Sequence, residues 1–189
     1  ICRSPLAELL LRDRLGRDRL AGRDLRVHSA GTHGLVGAPM TDRAQQLARE
    51  SGADAEQAAA HRARLLTEAL LDDADLILTM TAEQRDHAVH LLPRRLHRIF
   101  PVREFARLAR TLTDDQVRAL ADAAGTDPRI RLSAVAEGIG RRRGGVSPHR
   151  EDEDVIDPYR RSFSVYQQSA AQLLPALDEV ERVIRATVA

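Results

Sequence analysis

The chain has 189 residues, of which 43% are hydrophobic and 30% charged, and its formal net charge is +1. This near-neutral balance argues against a dedicated nucleic-acid or membrane-surface protein, and no apolar run approaches the roughly 20 residues of a membrane span. A single cysteine, Cys2, excludes an internal disulfide and a multi-cysteine metal site. The composition favours a cytoplasmic domain with an aliphatic core.

The N-terminal third predicts a helix, a short strand and a second helix. Ser4 is the expected N-cap of the first helix, with Pro5 at its first helical position. The leucines that follow recur at helical spacing. Residues 25–30 predict a strand, and Thr41 predicts the start of the second helix.

The middle of the chain carries the strongest strand signal. After Asp75 the sequence is continuously apolar to Leu78, which is typical of a buried parallel strand. Thr81 and Gln84 predict a capping box for the next helix, and residues 96–102 predict a further strand. Strands alternating with helices predict an α/β fold with a parallel sheet.

The rest of the chain predicts helix over most of residues 104–124, with a restart at Thr113-Asp114, and then an irregular stretch followed by a long helix. Residues 125–155 contain a basic run at 141–143 and an acidic run at 151–154. Such runs are typical of a solvated surface loop, and a basic docking patch for a partner is the alternative. Residues 163–188 predict the final helix.

Two short motifs carry chemistry. Ile1-Cys2-Arg3-Ser4-Pro5 lies where a helix begins, and the free amides and positive dipole end of a helix attract phosphate. Arg3 would add a two-pronged grip, although a lone arginine there is more often a surface charge. Asp157, fixed by Pro158, could serve as a general acid on a loop, although Asp-Pro is also a common turn.

These motifs resemble those of the low-molecular-weight protein tyrosine phosphatase family. That family's phosphate loop reads V-C-x-G-N-x-C-R-S-P, whose tail matches residues 1–5, and its acid loop reads D-P-Y/F, which matches residues 157–159. Residues 29–32, 61–67 and 78–80 match further stretches, as do Phe163 and Tyr166. The resemblance implies a three-layer α/β/α fold with a four-stranded parallel sheet of order 2-1-3-4. It spans residues 1–189 as one domain, with an irregular insertion at about 109–154.

The resemblance also implies a reaction, the hydrolysis of protein phosphotyrosine through a phosphocysteine intermediate, with no cofactor and no metal. Arg3 would clamp the transferring phosphoryl group, where charge spreads over the equatorial oxygens. Ser4 would hydrogen-bond the attacking thiolate. Asp157 would protonate the leaving phenolate and then act as the base for the attacking water.

Five further residues receive roles from the same resemblance. Ile1 and Cys2 belong to the phosphate loop and help to bind substrate, and His61 supports that loop from behind. Leu35 forms an apolar rim for the phenyl ring, and Tyr159 forms the opposite wall, where aromatic packing adds about 0.5–1.5 kcal/mol. Simple packing remains an alternative for Leu35, and a polar loop-start residue remains one for His61.

The family's nucleophile has no counterpart in this sequence. It would stand five residues before Cys2, upstream of Ile1, and Cys2 matches the second loop cysteine instead. Cys2 cannot replace the nucleophile, because the loop needs an arginine six positions later and Glu8 stands there. We therefore expect a chain truncated at its N-terminus, without the first strand, that is marginally folded and inactive, whereas its parent is active.

Two other functions stay open at this point. An arsenate reductase shares the fold, but no cysteine follows Cys2 to pass oxidation to thioredoxin, so only reduction through a small external thiol remains. A non-catalytic phosphate-binding fragment is the other alternative. For the phosphatase, the implied partner is a phosphotyrosine protein, with a bacterial tyrosine kinase as one candidate. Neither a nucleic acid nor a membrane is indicated as a partner, and the sequence leaves the oligomeric state open.

Overall fold

The computed structural model describes residues 1–16, 25–33, 35–145 and 153–189. Within these ranges the chain forms nine α-helices and two short β-strands, joined by loops and 3₁₀ turns. Their bounds are α1 Arg3–Gly16, α2 Asp42–Glu50, α3 Ala55–Ala60, α4 Glu68–Asp73, β1 Ile77–Thr79, α5 Ala82–Leu91, β2 Ile99–Pro101, α6 Val102–Ala109, α7 Asp114–Asp122, α8 Pro128–Gly140 and α9 Phe163–Val188.

The two strands confirm the predicted α/β class. β1 and β2 pair in parallel, with Ile77 opposite Ile99 and Thr79 opposite Pro101. Parallel neighbours need a crossover connection, which α5 supplies. Both strands are shorter than predicted, and a 3₁₀ turn over Pro93–Arg98 takes the first half of the second one.

The strand predicted at residues 25–30 is wrong, because this segment makes no ladder. Its polar backbone groups are held by side chains of α1 instead. The Arg12 Nε donates to the Val27 carbonyl at 2.7 Å, and the Ser29 amide donates to the Glu8 carboxylate at 2.9 Å. Alternating apolar residues are not sufficient for a strand when no neighbouring strand takes up its hydrogen bonds.

The prediction of Ser4 as the N-cap of α1 is also wrong. The helix begins at Arg3, and the Leu6 amide donates to the Cys2 carbonyl at 3.3 Å. Pro5 is consequently the third helical residue, where its missing N–H belongs to a group that has no partner within a helix anyway. The predicted leucine stripe is confirmed, since Leu6, Leu9, Leu10 and Leu15 are buried.

The cap predicted for α5 forms with one change of partner. The Gln84 amide donates to the Thr81 hydroxyl at 3.2 Å, as a capping box requires. The Gln84 side-chain oxygen, however, accepts from the amide of Met80 at 2.9 Å rather than from that of Thr81. This bond fixes the turn that leaves the carboxyl end of β1.

The helix restart predicted at Thr113-Asp114 is confirmed by α7, whereas the stretch from residue 125, expected to be irregular, contains a further capped helix, α8. Thr113 and Gln116 form a reciprocal capping box at the start of α7. Asp127 accepts from the first amides of α8, with Pro128 at the first helical position. The signal at Asp127-Pro128 is thus a helix start, and the two helices pack against each other and against α9.

The helix α9 lies at the centre of the core. It packs against α1, α2, α6, α7 and α8. Its inward face is aliphatic, with Leu173, Leu177 and Val180 fully buried. No helix in the described ranges combines the length and apolar character needed to cross a membrane.

Gly140, the last residue of α8, lies against the 3₁₀ turn that precedes β2. A Cβ atom at this position would meet the His97 carbonyl oxygen at 2.6 Å and the Phe100 ring at 3.4 Å. Gly140→Ala should lower the free energy of unfolding by about 1–3 kcal/mol, because a backbone carbonyl cannot move away without disturbing the turn. Chemical denaturation followed by circular dichroism measures this change.

Gly16→Ala is the matched control, because a Cβ atom there meets nothing within 4 Å. It should leave stability unchanged or raise it slightly, as alanine favours the helix. Equal losses in the two variants would contradict the close approach at Gly140.

Candidate functional site

All eight residues singled out from the sequence line one pocket of about 160 Å³ at the N-terminal end of α1. They come from four separate parts of the chain: Ile1, Cys2, Arg3, Ser4, Leu35, His61, Asp157 and Tyr159. The fold brings them together from α1, the 35–38 loop, the end of α3 and the loop before α9.

Arg3 and Asp157 face each other across this pocket. The Arg3 Nη2 lies 3.5 Å from the Asp157 Oδ2, and the Arg3 Nη1 donates to the Val155 carbonyl at 2.6 Å. Only 12% of the Arg3 side chain is exposed, against 58% for Asp157. Burial lowers the pKa of Arg3 and Asp157 opposes that shift, but a guanidinium stays protonated at neutral pH. The pocket therefore holds one buried permanent cation and one accessible carboxyl.

Backbone contacts hold the acid loop, residues 153–159, above the pocket. The Val155 amide donates to the Met80 carbonyl at 2.8 Å, just beyond β1. The Asp154 carboxylate accepts from the Ala82 amide at 2.7 Å, in the first turn of α5. The acid loop is thus attached at the carboxyl end of the sheet, where open α/β sheets bind ligands.

Cys2 lies in a cluster of hydroxyl groups. Its Sγ is 3.5 Å from the Tyr166 hydroxyl and 3.7 Å from the Thr41 hydroxyl, and these two oxygens are 3.0 Å apart. Burial, the largest cause, raises the pKa of Tyr166 to about 12, so this hydroxyl stays protonated. The sulfur is buried and hydrogen-bonded at the base of the pocket, which describes a structural thiol.

Glu8 is the residue that sequence reasoning missed. Its buried carboxylate accepts from the Ser29 amide at 2.9 Å and from the Ser29 hydroxyl at 2.5 Å, and it pairs with Arg12 at 2.7 Å. His61 Nδ1 lies 3.8 Å from the same carboxylate. One signal was available, an acid within an apolar helical stripe followed four residues later by an arginine.

His61 is buried where α3 ends. Its amide donates to the Gln57 carbonyl at 3.0 Å, and its side chain is 5% exposed. Burial, the largest cause, lowers the pKa of His61 from 6.5, although Glu8 opposes the shift. Burial therefore favours the neutral imidazole, and His61 lines the pocket from the end of α3. Its role in supporting the phosphate loop stays a prediction.

The rim of the pocket is apolar on one side. Leu35 is 45% exposed and Val36 67% exposed, which is unusual for large aliphatic side chains next to a polar pocket. Their loop is paired with the neighbouring segment, since Gly37 donates to the Ala63 carbonyl at 2.7 Å and Ala63 to the Ala38 carbonyl at 2.9 Å. Among the described residues, no group of three or more His, Cys, Asp or Glu side chains could hold a metal ion.

The chain resembles known low molecular weight phosphatases in sequence. Residues 1–118 match the model of the low molecular weight phosphotyrosine protein phosphatase family. The low molecular weight protein-tyrosine-phosphatase Ptp of Acinetobacter johnsonii is 37% identical over 93 residues, which are 49% of this chain and 58% of that protein. Etp of Escherichia coli K12 is 38% identical over 93 residues, covering 49% and 56%. The chain thus spans less than two thirds of the length of these curated relatives.

Solved structures share the fold over most of the chain. The low molecular weight protein tyrosine phosphatase from T. tengcongensis aligns with a TM-score of 0.61 and 26% identity, covering 95% of this chain and 89% of that one. The tyrosine phosphatase AmsI of Erwinia amylovora aligns with a TM-score of 0.61 and 21% identity, covering 95% and 83%.

The Glu8 network generates a stability prediction. Glu8→Gln keeps the shape of the side chain but turns one acceptor oxygen into a donor, which leaves a buried bond to Ser29 or Arg12 unmade. The free energy of unfolding should fall by about 1–3 kcal/mol. Asp115→Asn is the control, because its ion pair with Arg118 lies at the surface with 87% of the Asp115 side chain exposed. Chemical denaturation measures the free energy of unfolding of both variants, and an equal loss in the two would contradict the role of Glu8.

His61 generates a prediction for pH. Because its folded pKa lies below the unfolded value of 6.5, the unfolded chain binds its proton first as the pH falls. The His61 contribution to stability is therefore complete above pH 6.5 and is lost as the pH falls from there toward the folded pKa. His61→Asn should flatten the pH dependence of the midpoint of urea denaturation between pH 7 and pH 5. The exposed His90 serves as the control, and an equal flattening in His90→Asn would count against the prediction.

Proposed function

The chain belongs to the low molecular weight phosphotyrosine protein phosphatase family, and we propose that its pocket is the phosphate site of a protein-tyrosine-phosphate hydrolase. The observation that carries the proposal is the meeting of Arg3 and Asp157 at 3.5 Å. A guanidinium beside a helix N-terminus binds a phosphoryl group, and a carboxyl at the same place can exchange a proton with its leaving oxygen. A substrate phosphate would take the place of Asp157 as the partner of Arg3.

The proposed reaction has two displacements at phosphorus. A cysteine thiolate attacks, the bond to the phenolic oxygen breaks, and Asp157 gives its proton to that oxygen. Water then attacks the phosphocysteine, Asp157 accepts the proton of the water, and the phosphorus–sulfur bond breaks to release inorganic phosphate and thiolate. Arg3 stabilises the charge on the equatorial oxygens in both steps.

The nucleophile of this reaction is not Cys2. The Cys2 sulfur contacts the hydroxyls of Tyr166 and Thr41, and Glu8 stands six positions later where the family loop needs an arginine. By the family pattern the thiolate belongs five residues before Cys2, in the first half of the loop, with Ser4 as its hydrogen-bond donor. The 189 residues alone are therefore proposed to bind phosphate without turning it over.

A second cavity supports a related proposal, that the family's sheet has a further strand beside β1. It has a volume of about 310 Å³ and lies between the 25–30 segment and β1, under α1 and α9. In the described residues β1 pairs only with β2, so its other edge has no strand beside it. We propose that the family's first strand occupies this cavity beside β1, the neighbour that the order 2-1-3-4 would give it.

The proposal predicts the result of extending the chain. A version that carries about a dozen residues encoded ahead of Ile1, a strand and half a loop, should hydrolyse an aryl phosphate. The 189-residue chain should not, and its free energy of unfolding should be lower. Release of phosphate and chemical denaturation measure the two effects. Replacing the upstream cysteine by serine in the extended chain is the control.

Within the extended chain, Asp157→Asn should slow turnover by about 100-fold or more for leaving groups of high pKa, and less for acidic phenols. Asp178→Asn, at an exposed ion pair with Arg14, should leave turnover unchanged. An extended chain that folds, binds phosphate and hydrolyses nothing would establish a non-catalytic phosphate-binding module and overturn the phosphatase proposal.

A further inference from the structure

Four arginines that have no carboxylate partner in the described part of the chain lie in or directly beside segments that line the pocket. Arg64 lines it, and Arg62 donates only to backbone carbonyls. Directly after the acid loop, the Arg160 guanidinium carbon lies 5.1 Å from the centre of the Tyr159 ring. Neither Arg160 nor Arg161 has a salt bridge within the described part of the chain, and both are exposed.

This arrangement differs from that of the arginines elsewhere. Most of those that the structure describes face an acid, as Arg131 faces Asp122 at 2.7 Å and Arg107 faces Glu153 at 2.6 Å. The formal net charge of the whole chain is only +1. The positive charge of these arginines is therefore local, and Asp157 is the only carboxylate among the described residues that line the pocket.

The backbone of Arg160 is a second, independent observation. Its φ of 59° is the only positive value among the described residues other than glycine. The turn is closed by the bond from the Arg161 amide to the Pro158 carbonyl at 2.9 Å. Glycine or asparagine is favoured in this left-handed conformation, so an arginine there is strained. Strain of this kind is typical of a residue kept for its side chain's function.

We propose that Arg64 and Arg160 bind a second anionic group of the substrate, next to the phosphotyrosine. The inference rests on the proposed function and names its substrate class: phosphotyrosine peptides with a neighbouring carboxylate or second phosphate. Arg64 lines the pocket, and Arg160 lies over the ring of Tyr159, which also lines it. The two cations belong to separate parts of the chain, so they would reach a bound peptide from different directions. Because both side chains are exposed, the preference should weaken as salt screens the charges.

The test measures the affinity of labelled phosphotyrosine peptides by fluorescence anisotropy, for the 189-residue chain and for the extended chain with its upstream cysteine replaced by serine, which cannot hydrolyse them. The peptides differ only beside the phosphotyrosine, which is flanked by glutamate, by a second phosphotyrosine, by glutamine or by lysine. The anionic peptides should bind about five-fold more tightly than the glutamine peptide at low salt, as two exposed ion pairs would give. This ratio should approach one in about 0.5 M salt.

Charge reversal sharpens the test. The Arg64→Glu/Arg160→Glu double variant should prefer the lysine peptide to the glutamate peptide. The matched control is Arg118→Glu/Arg142→Glu, which reverses the same charge on α7 and on the 3₁₀ turn after α8 and should keep the original preference. A preference for the glutamate peptide that survives in the first variant, or changes equally in the control, would overturn the proposal.

The peptides also identify the recognised anion. Tighter binding of the peptide with a second phosphotyrosine alone assigns phosphate, and tighter binding of the glutamate peptide alone assigns carboxylate.

Arg160→Gly separates binding from a structural role. Glycine relieves the left-handed strain, so the midpoint of thermal unfolding should stay constant or rise while the preference for anionic peptides falls. A lower midpoint with an unchanged preference would show that Arg160 only supports the turn.

Failure of the inference is distinguishable from failure of the proposed function. Equal binding of all peptides by the serine variant of an extended chain that hydrolyses aryl phosphate would overturn the arginine assignment alone. A retained preference without hydrolysis would overturn the phosphatase assignment alone.

Discussion

The packing of α1 against α9 is the constraint on which the site depends. The leucines of α1 are buried in the same core as Leu173 and Leu177 of α9, and this contact sets the direction of the α1 axis. The first turn of α1 consequently opens toward the acid loop. Arg3, in that turn, reaches the Val155 carbonyl at 2.6 Å and Asp157 at 3.5 Å. A helix end rich in free amides and a guanidinium are thereby aimed at one small volume.

Much of this arrangement could be predicted from local signals in the sequence. Thr41 and Thr81 cap the helices they were expected to start, and the apolar run after Asp75 contains β1. The acid loop was placed beside Arg3 by the family motifs rather than by any local pattern. The prediction that failed concerns a segment whose structure depends on its neighbours in the fold. Residues 25–30 have the composition of a strand, but their backbone bonds go to Arg12 and Glu8.

Helix-capping signals also show that a short sequence pattern does not by itself fix where a helix begins. Ser4-Pro5 and Asp127-Pro128 look alike, yet only the second pair caps a helix at its proline. In the first pair the helix has already begun at Arg3. For Glu8 the sequence offers only the arginine four residues later, because its other partners, Ser29 and His61, are brought to it by the fold.

The helix α9 connects two parts of the molecule that are distant in sequence. At its N-terminal end Tyr166 contacts Cys2, and the Gln172 side chain accepts from the Ile156 amide of the acid loop. Toward its C-terminal end Arg182 pairs with Asp114 of α7. A change in α7 that weakened this packing would therefore act on the pocket from a distance, because the same helix that α7 supports also holds the acid loop through Gln172.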